Sequence, residues 1–354
     1  MIRVIVIDDS AFMRAALSRM ITSEPDFEVI ATASDGTDAL HKISALAPDV
    51  VTLDVNMHVL DGIGTLRRIM AEFPLPVIMV SSATSENADI ASDALGAGAF
   101  DCVAKQLSSS SLEIDHIRDD LIAKLRAAAL SRKLSSRPSS LRKPPVGAHL
   151  DAPSPAFAAP AIVAVGTSTG GPRALQQILS SLPHDFSLPI LIVQHMPTGF
   201  LASFIRRLGA SCSIAVKEAK NGDPILPGLA YIAPSGVHMV VEPEPYRSKE
   251  TIFLHAEPSY APHIPSVDVL MTSVAHAYGS RAIGVILTGM GCDGADGMRA
   301  IYKAGGMTIG QDEATCTVYG MPRACADAGV LRCVLPLQEI ADHILQVTRP
   351  RRLA

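Results

Sequence analysis

An α/β fold made of two doubly wound parallel-sheet domains is what this sequence predicts, and three observations carry that reading. Short β-branched apolar runs alternate with helical patterns along the chain. The 354 residues suffice for two domains, each large enough to bury its own core. A stretch rich in Pro, Ser and Ala, residues 135–160, interrupts the alternation once and reads as a semi-extended linker. The expected boundaries are a first domain over 1–130, a linker over 131–160 and a second domain over 161–348.

In the first domain the strand candidates are 3–7 (RVIVI), 28–33 (EVIATA), 50–54 (VVTLD), 76–81 (PVIMVS) and 100–104 (FDCVA). Helical segments separate them, the last over 111–134. From Ala161 the rhythm resumes, with strands expected at 161–166, 189–194, 229–233, 238–242, 251–255, 283–288 and 306–310. No internal repeat links the halves, and no helix-turn-helix pattern with a basic recognition helix is present.

Several function classes are excluded at this level. No run of 18 or more apolar residues occurs, so no direct membrane insertion is expected. Asp8 and Asp9 interrupt the apolar N-terminus where a signal peptide would need its core, which points to a cytoplasmic protein. Six cysteines, at 102, 212, 292, 316, 325 and 333, show no C-x-x-C spacing and are expected as reduced thiols. A net charge of −5 leaves no electrostatic footprint for nucleic acid. The basic tail RPRRLA is expected as a solvated end.

In a doubly wound sheet, ligands sit outside the carboxyl ends of the strands. Asp8 and Asp9 follow the first strand, Asp54 ends the third, Ser81 ends the fourth and Lys105 follows the fifth. Three bare carboxylates at one edge repel, and a hard divalent cation resolves this: Mg²⁺ takes one or two carboxylates plus waters and phosphate oxygens. With a hydroxyl and a fixed cation beside them, they suit phosphoryl transfer onto a carboxylate. A salt-bridged strand edge explains any one of these residues alone, but five at matching strand ends favour the chemistry.

The segments VIDDS, VTLDVNMHVLDG, VIMVSSAT and GAGAFDCVAK resemble a two-component receiver domain over about residues 1–125. The resemblance implies a flavodoxin-like fold with Asp54 as phosphoacceptor. It implies Mg²⁺ held by Asp8, Asp9, Asp54 and the backbone carbonyl of Asn56, with Ser81 and Lys105 on the phosphoryl group. Three positions depart from the family pattern: His58 where proline is usual, Cys102 at the aromatic switch position, and Gln106 in place of the proline after the lysine. A cis bond to a non-proline residue costs about 3–4 kcal/mol. The departures bear on the signalling path more than on the acidic chemistry.

In the second domain, GTSTGG (166–171) lies between an apolar strand and a helical pattern. Such a turn can cradle a phosphate on a helix N-terminus, hold Ser168 as a nucleophile within G-x-S-x-G, or simply connect. His195 ends the strand LPILIVQ, and Asp293 follows AIGVILTGMGCDG, so all three residues fall just past strands. That convergence supplies a hydroxyl, a base and an orienting carboxylate. Backbone N–H groups after Ser168 and in 288–294 can serve a developing oxyanion, each donor contributing about 3–4 kcal/mol. The spacing ranks the hydrolase first, ahead of the inert turn and the phosphate cradle, since the turn lacks both G-x-G-x-x-G and the P-loop lysine. The order Ser168, His195, Asp293 rejects the ordinary α/β-hydrolase, whose acid precedes its histidine. That order would need His343, which sits in a C-terminal helical pattern.

Six segments in order, VGTSTGGPRAL, VQHMPTGF, AYIAPSGVHM, PSVDVL, ILTGMGCDGADGM and QDEATCTVYGMPRAC, resemble the CheB methylesterase family over about 161–348. The resemblance implies Ser168 as nucleophile, His195 as base and Asp293 as orienting carboxylate, with Thr169 and Met290 as active-site neighbours. It implies hydrolysis of glutamate methyl esters, and deamidation of certain glutamines, on methylated chemoreceptor helices. It further implies a chemotaxis histidine kinase as phosphodonor, Mg²⁺ for phosphorylation, and no cofactor for ester hydrolysis. A non-enzymatic signalling module and a hydrolase of another ester are the alternatives, and the intact Ser168, His195 and Asp293 speak against the first.

Overall fold

The computed structural model describes residues 1–58, 60–81, 85–105, 111–135, 159–242, 250–259 and 261–348. Linker residues 136–158, Gln106 and the basic tail fall outside the described residues. The chain folds as two compact units.

The N-terminal unit runs β1 (Ile2–Ile7), α1 (Ala11–Thr22), β2 (Phe27–Ala33), α2 (Gly36–Leu46), β3 (Val50–Asp54), α3 (Gly62–Glu72), β4 (Val77–Ser81), α4 (Ser85–Ala97), β5 (Asp101–Ala104) and α5 (Ser111–Ser135). Every strand lies within a residue of its expected bounds, and α5 includes residues 131–135 of the stretch expected as linker. The sheet is parallel throughout, in the order β2-β1-β3-β4-β5. β3 and β4 are buried along their whole length, as strands covered on both faces must be. One core joins Val4, Val6, Val50, Ile78 and Val80 to Leu17 and Ile21 of α1 and Leu121 and Leu125 of α5. Capping starts the helices: Ser10 Oγ accepts the Met13 N–H at 3.3 Å, and Asp35 Oδ1 accepts those of Thr37 and Asp38 at 2.9 and 3.0 Å. Strand order reverses at β1, so the loops after β1 and β3 open a crevice at the carboxyl edge.

The C-terminal unit runs β6 (Ile162–Thr167), α6 (Gly171–Ser180), β7 (Ile190–Gln194), α7 (Leu201–Ser211), β8 (Ala215–Glu218), β9 (Leu229–Ile232), β10 (His238–Glu242), β11 (Thr251–His255), α8 (Val267–Tyr278), β12 (Ala282–Ile286), α9 (Ala295–Lys303), β13 (Met307–Gln311), α10 (Met321–Asp327), β14 (Cys333–Leu335) and α11 (Leu337–Thr348). Seven strands form a parallel sheet in the order β14-β13-β12-β6-β7-β9-β8. The fully buried β6 is central, with β7 on one side and β12 on the other, so the switch point lies between β6 and β12. The strands expected at 238–242 and 251–255 form, but they stand apart as an antiparallel pair, His238 opposite His255 and Glu242 opposite Thr251. The apolar stripe Val267, Leu270, Met271, Val274 and Tyr278 buries one face of α8, which packs on α9, β10 and β6. That packing aims the α8 N-terminus at the carboxyl edge of the sheet.

Candidate active site

Ser168 stands one residue past β6, in the turn that enters α6. Its N–H donates to the Thr288 carbonyl at 3.1 Å, and its own carbonyl accepts the Gly171 N–H at 2.8 Å, which closes the turn. Gly170 has φ +79°, and a Cβ there would lie 2.4 Å from Thr317 Oγ1, so both conformation and space demand glycine. A Cβ on Gly289 would lie 2.8 Å from that of Ser168, which puts the loop after β12 directly against the hydroxyl-bearing residue.

His195 follows β7, and its N–H donates to the Thr167 carbonyl at 3.0 Å. Its ring meets Asp293 at 2.9 Å, from Nε2 to Oδ2. Nδ1 is buried and has no hydrogen-bond partner among the described residues, which leaves it as the atom available to a proton from the crevice. The Ser168 turn and His195 are tied together by Gln194, a buried residue that ends β7. Its Nε2 donates to the carbonyls of both Ser168 and His195, at 3.0 and 2.7 Å.

Asp293 is held by the start of α8. Ser266 Oγ and the Asp268 N–H donate to Oδ1 at 2.9 and 3.0 Å, and the Val267 N–H donates to Oδ2 at 2.8 Å. Burial pushes this carboxyl up, but the bonds from His195, Asp268 and Val267 outweigh it and hold the group well below the usual carboxylate range. Asp268, next along and bonded to the Gly297 N–H at 2.7 Å, is pushed up to about 6 by burial and by the Asp293 charge. The Ser266 N–H donates to Nδ1 of buried His238 at 3.1 Å, so His238 Nε2 carries the proton toward the Pro258 carbonyl. Burial lowers the pKa of His238, consistent with a neutral ring. His263 stacks on His195 with ring centroids 4.3 Å apart and 28° between planes, and burial followed by the neighbouring His195 charge lowers its pKa.

Thr169 is buried beside Ser168, its Oγ1 without a hydrogen-bond partner among the described residues. Met290 follows Gly289 in the facing loop, close to Gly320. The amides of Ser168, Gly171 and Gly289 donate to the carbonyls of Thr288, Ser168 and Val318 and so are already engaged.

Sequence reasoning passed over Gln194, Ser266, His238 and His263. Two of them left signals: Ser266 precedes an apolar-periodic run as an N-cap does, and Gln194 is a polar residue closing a wholly apolar strand.

In the N-terminal unit the five edge residues come together. Ligand oxygens of Asp8, Asp9 and Asp54 all lie within 4.8 Å of one another. Lys105 Nζ reaches Asp8 Oδ2 and Asp54 Oδ2, each at 2.7 Å, and the Lys105 N–H donates to the Ser81 carbonyl at 2.7 Å. Burial raises the Asp54 pKa, with Lys105 offsetting part of the effect. Asp8 Oδ2 is fully buried and, although paired in charge with Lys105, accepts no well-angled hydrogen bond. Three carboxylates whose oxygens lie within 4.8 Å of one another fit a hard divalent cation. Asn56 sits at the crevice rim, its N–H donating to Asp54 Oδ1 at 3.3 Å. Cys102 is buried in β5, its thiol pushed up to about 12 by burial, and its carbonyl accepts from Lys124 Nζ at 2.8 Å.

A family model described as CheB methylesterase matches residues 163–344, and one for the response regulator receiver domain matches 4–115. A protein-glutamate methylesterase/protein-glutamine glutaminase of Nitratidesulfovibrio vulgaris is 45% identical, the alignment covering 98% of this chain and 99% of the relative. The chain belongs to the CheB methylesterase family. A relative in Halalkalibacterium halodurans with the same name, 46% identical, covers 98% of each chain. The catalytic domain of Thermotoga maritima CheB methylesterase, known from a crystal structure, is 38% identical, with a TM-score of 0.52 over 54% of this chain and all of that one. The two family models thus cover both parallel sheets, and among the described residues no helix is long and apolar enough to cross a membrane.

Proposed function

We propose that this chain is a cytoplasmic protein-glutamate methylesterase and glutaminase acting on chemoreceptor helices, with activity set by phosphorylation of its receiver unit. One observation carries the reading: a part-buried His195–Asp293 pair at 2.9 Å, tied through Gln194 to the backbone of Ser168 at the switch point of the sheet.

Ser168 Oγ attacks the ester carbonyl while His195 Nδ1 takes its proton. Asp293, ionised across the working pH range, steadies the imidazolium that forms. The amides of Thr169 and Met290 face the oxyanion. His195 then returns the proton to the departing methoxide, methanol leaves, and a glutamyl-Ser168 ester remains. Water, deprotonated by the same ring, hydrolyses that ester to free the glutamate carboxylate and the serine. With a glutamine substrate the leaving group is ammonia, and the proton delivered by His195 is what permits the C–N bond to break.

In the receiver unit, Asp54 accepts a phosphoryl group from a chemotaxis histidine kinase, with Ser81 and Lys105 on the phosphoryl oxygens. Asp8, Asp9, Asp54 and the Asn56 carbonyl would hold Mg²⁺, which when bound neutralises charge developing on the transferring group. The test is methanol release from methylated receptor membranes, with and without a small phosphodonor and Mg²⁺. The proposal expects stimulation of the wild type and none of Asp54→Asn; equal stimulation of both removes Asp54 from the regulation.

A further inference from the structure

The His195 ring is hydrogen-bonded at one nitrogen only. Nε2 meets Asp293 Oδ2 at 2.9 Å, while Nδ1 has no hydrogen-bond partner among the described residues. The last torsion of a histidine side chain is broad, so a ring pinned through Nε2 can still tilt about its bond to Cβ. Nδ1 lies off that axis and moves with the tilt. A flat group laid on the ring face removes this freedom. His263 is such a group: its ring covers that of His195, with centroids 4.3 Å apart and 28° between planes. The rest of His263 is exposed, so core packing does not account for its place.

The anchorage of His263 is shared with the catalytic carboxylate. One residue on, the Ile264 carbonyl accepts the Gly236 N–H at 3.3 Å. Two residues further, Ser266 donates its N–H to His238 Nδ1 and its hydroxyl to Asp293 Oδ1. The same short segment thus steadies the in-plane partner of His195 and supplies the partner on its face. Burial first, and the neighbouring His195 second, hold His263 below the ordinary imidazole range. At pH 8 it is neutral and adds no charge beside the imidazolium that forms during hydrolysis.

We propose that His263 is a positioning residue for ester hydrolysis, its ring closing one face of His195 so that Nδ1 stays turned to the Ser168 hydroxyl. The inference rests on the triad reading given above. The role requires an aromatic face and makes no use of the His263 nitrogens.

Full-length wild type, His263→Ala, His263→Asn and His263→Phe are compared at pH 8 by methanol release from methylated receptor membranes. The His195 Cε1–H signal, assigned with His195→Gln, is followed in ¹³C–¹H correlation spectra of the same proteins. Asparagine keeps a nitrogen without a ring, and phenylalanine keeps a ring without nitrogens. His263→Ala and His263→Asn are expected to lose on the order of three- to tenfold in kcat with KM little changed. Their His195 signal should also lose the upfield ring-current shift of the wild type. His263→Phe is expected to keep that shift and a kcat within about twofold of wild type. Wild-type kcat in all three variants, a His263→Phe as slow as His263→Ala, or a rise in KM alone overturns the positioning role and leaves the triad standing. A wild type that releases no methanol overturns both.

Discussion

Replacing Asp293 with asparagine probes the catalytic geometry most sharply, because the two carboxylate oxygens have different donors. Oδ1 takes Ser266 Oγ and the Asp268 N–H, while Oδ2 takes His195 Nε2 and the Val267 N–H. An asparagine can keep an acceptor on one side only. With its oxygen toward Ser266 and Asp268, its NH₂ faces His195, and the imidazole responds by accepting at Nε2 and carrying its proton on Nδ1. That tautomer cannot take a proton from Ser168. Restoring the productive tautomer turns Nε2–H against the NH₂, which breaks their hydrogen bond and leaves these two facing donors unsatisfied at about 1–3 kcal/mol each. Some 4 kcal/mol corresponds to about 10³ in rate, and loss of the counter-charge to the imidazolium extends this toward about 10⁴. Asp293→Asn should therefore lose on the order of 10³- to 10⁴-fold in kcat, less than the roughly 10⁶ expected on removing the nucleophile. The assay is methanol release at saturating methylated receptor, with circular dichroism confirming the fold. A variant within tenfold of wild type would refute the role given to Asp293.

Three further outcomes are expected. Asp54→Asn, given a small phosphodonor and Mg²⁺, should acquire no acyl-phosphate label; stoichiometric labelling moves the acceptor elsewhere. Gln194→Leu, which removes both donors to the Ser168 and His195 carbonyls, should lower kcat by about 10-fold or more with KM little changed, since ~1.4 kcal/mol of misplacement is tenfold in rate; a rise in KM alone contradicts a positioning role. Asp268 has a folded pKa raised to about 6, above the ordinary carboxyl value near ~3.9, so its ionisation costs stability as pH rises through that window and costs nothing below it. Asp268→Asn, which keeps an acceptor for the Gly297 N–H, should raise Tm at pH 8 and leave it unchanged at pH 3. Solvent screening limits the gain to about 1 kcal/mol, or ~2–4 °C.

Much of this was legible in the sequence because parallel sheets place chemistry at strand ends. Apolar runs such as VVTLD and ILIVQ are buried on both faces, so their lengths mark where each crevice residue must fall. The misses have physical causes. β8 (AVKE) and β14 (CVL) are edge strands of four and three residues, partly exposed, and carry no continuous buried run. The β10–β11 pair has strand-like composition, which says nothing about which sheet a strand joins. The support for Asp293 comes from the cap of α8 at Ser266, 27 residues earlier in the chain, and the His195–His263 stack likewise depends on tertiary placement.

The central claim is that Ser168 attacks a glutamate methyl ester on a receptor. It is tested most directly by methanol released from methylated receptor membranes by the wild type and by Ser168→Ala at equal concentration. The account predicts steady release by the wild type and, for a folded Ser168→Ala protein, release no faster than from membranes alone. Methanol production by Ser168→Ala at the wild-type rate would contradict it.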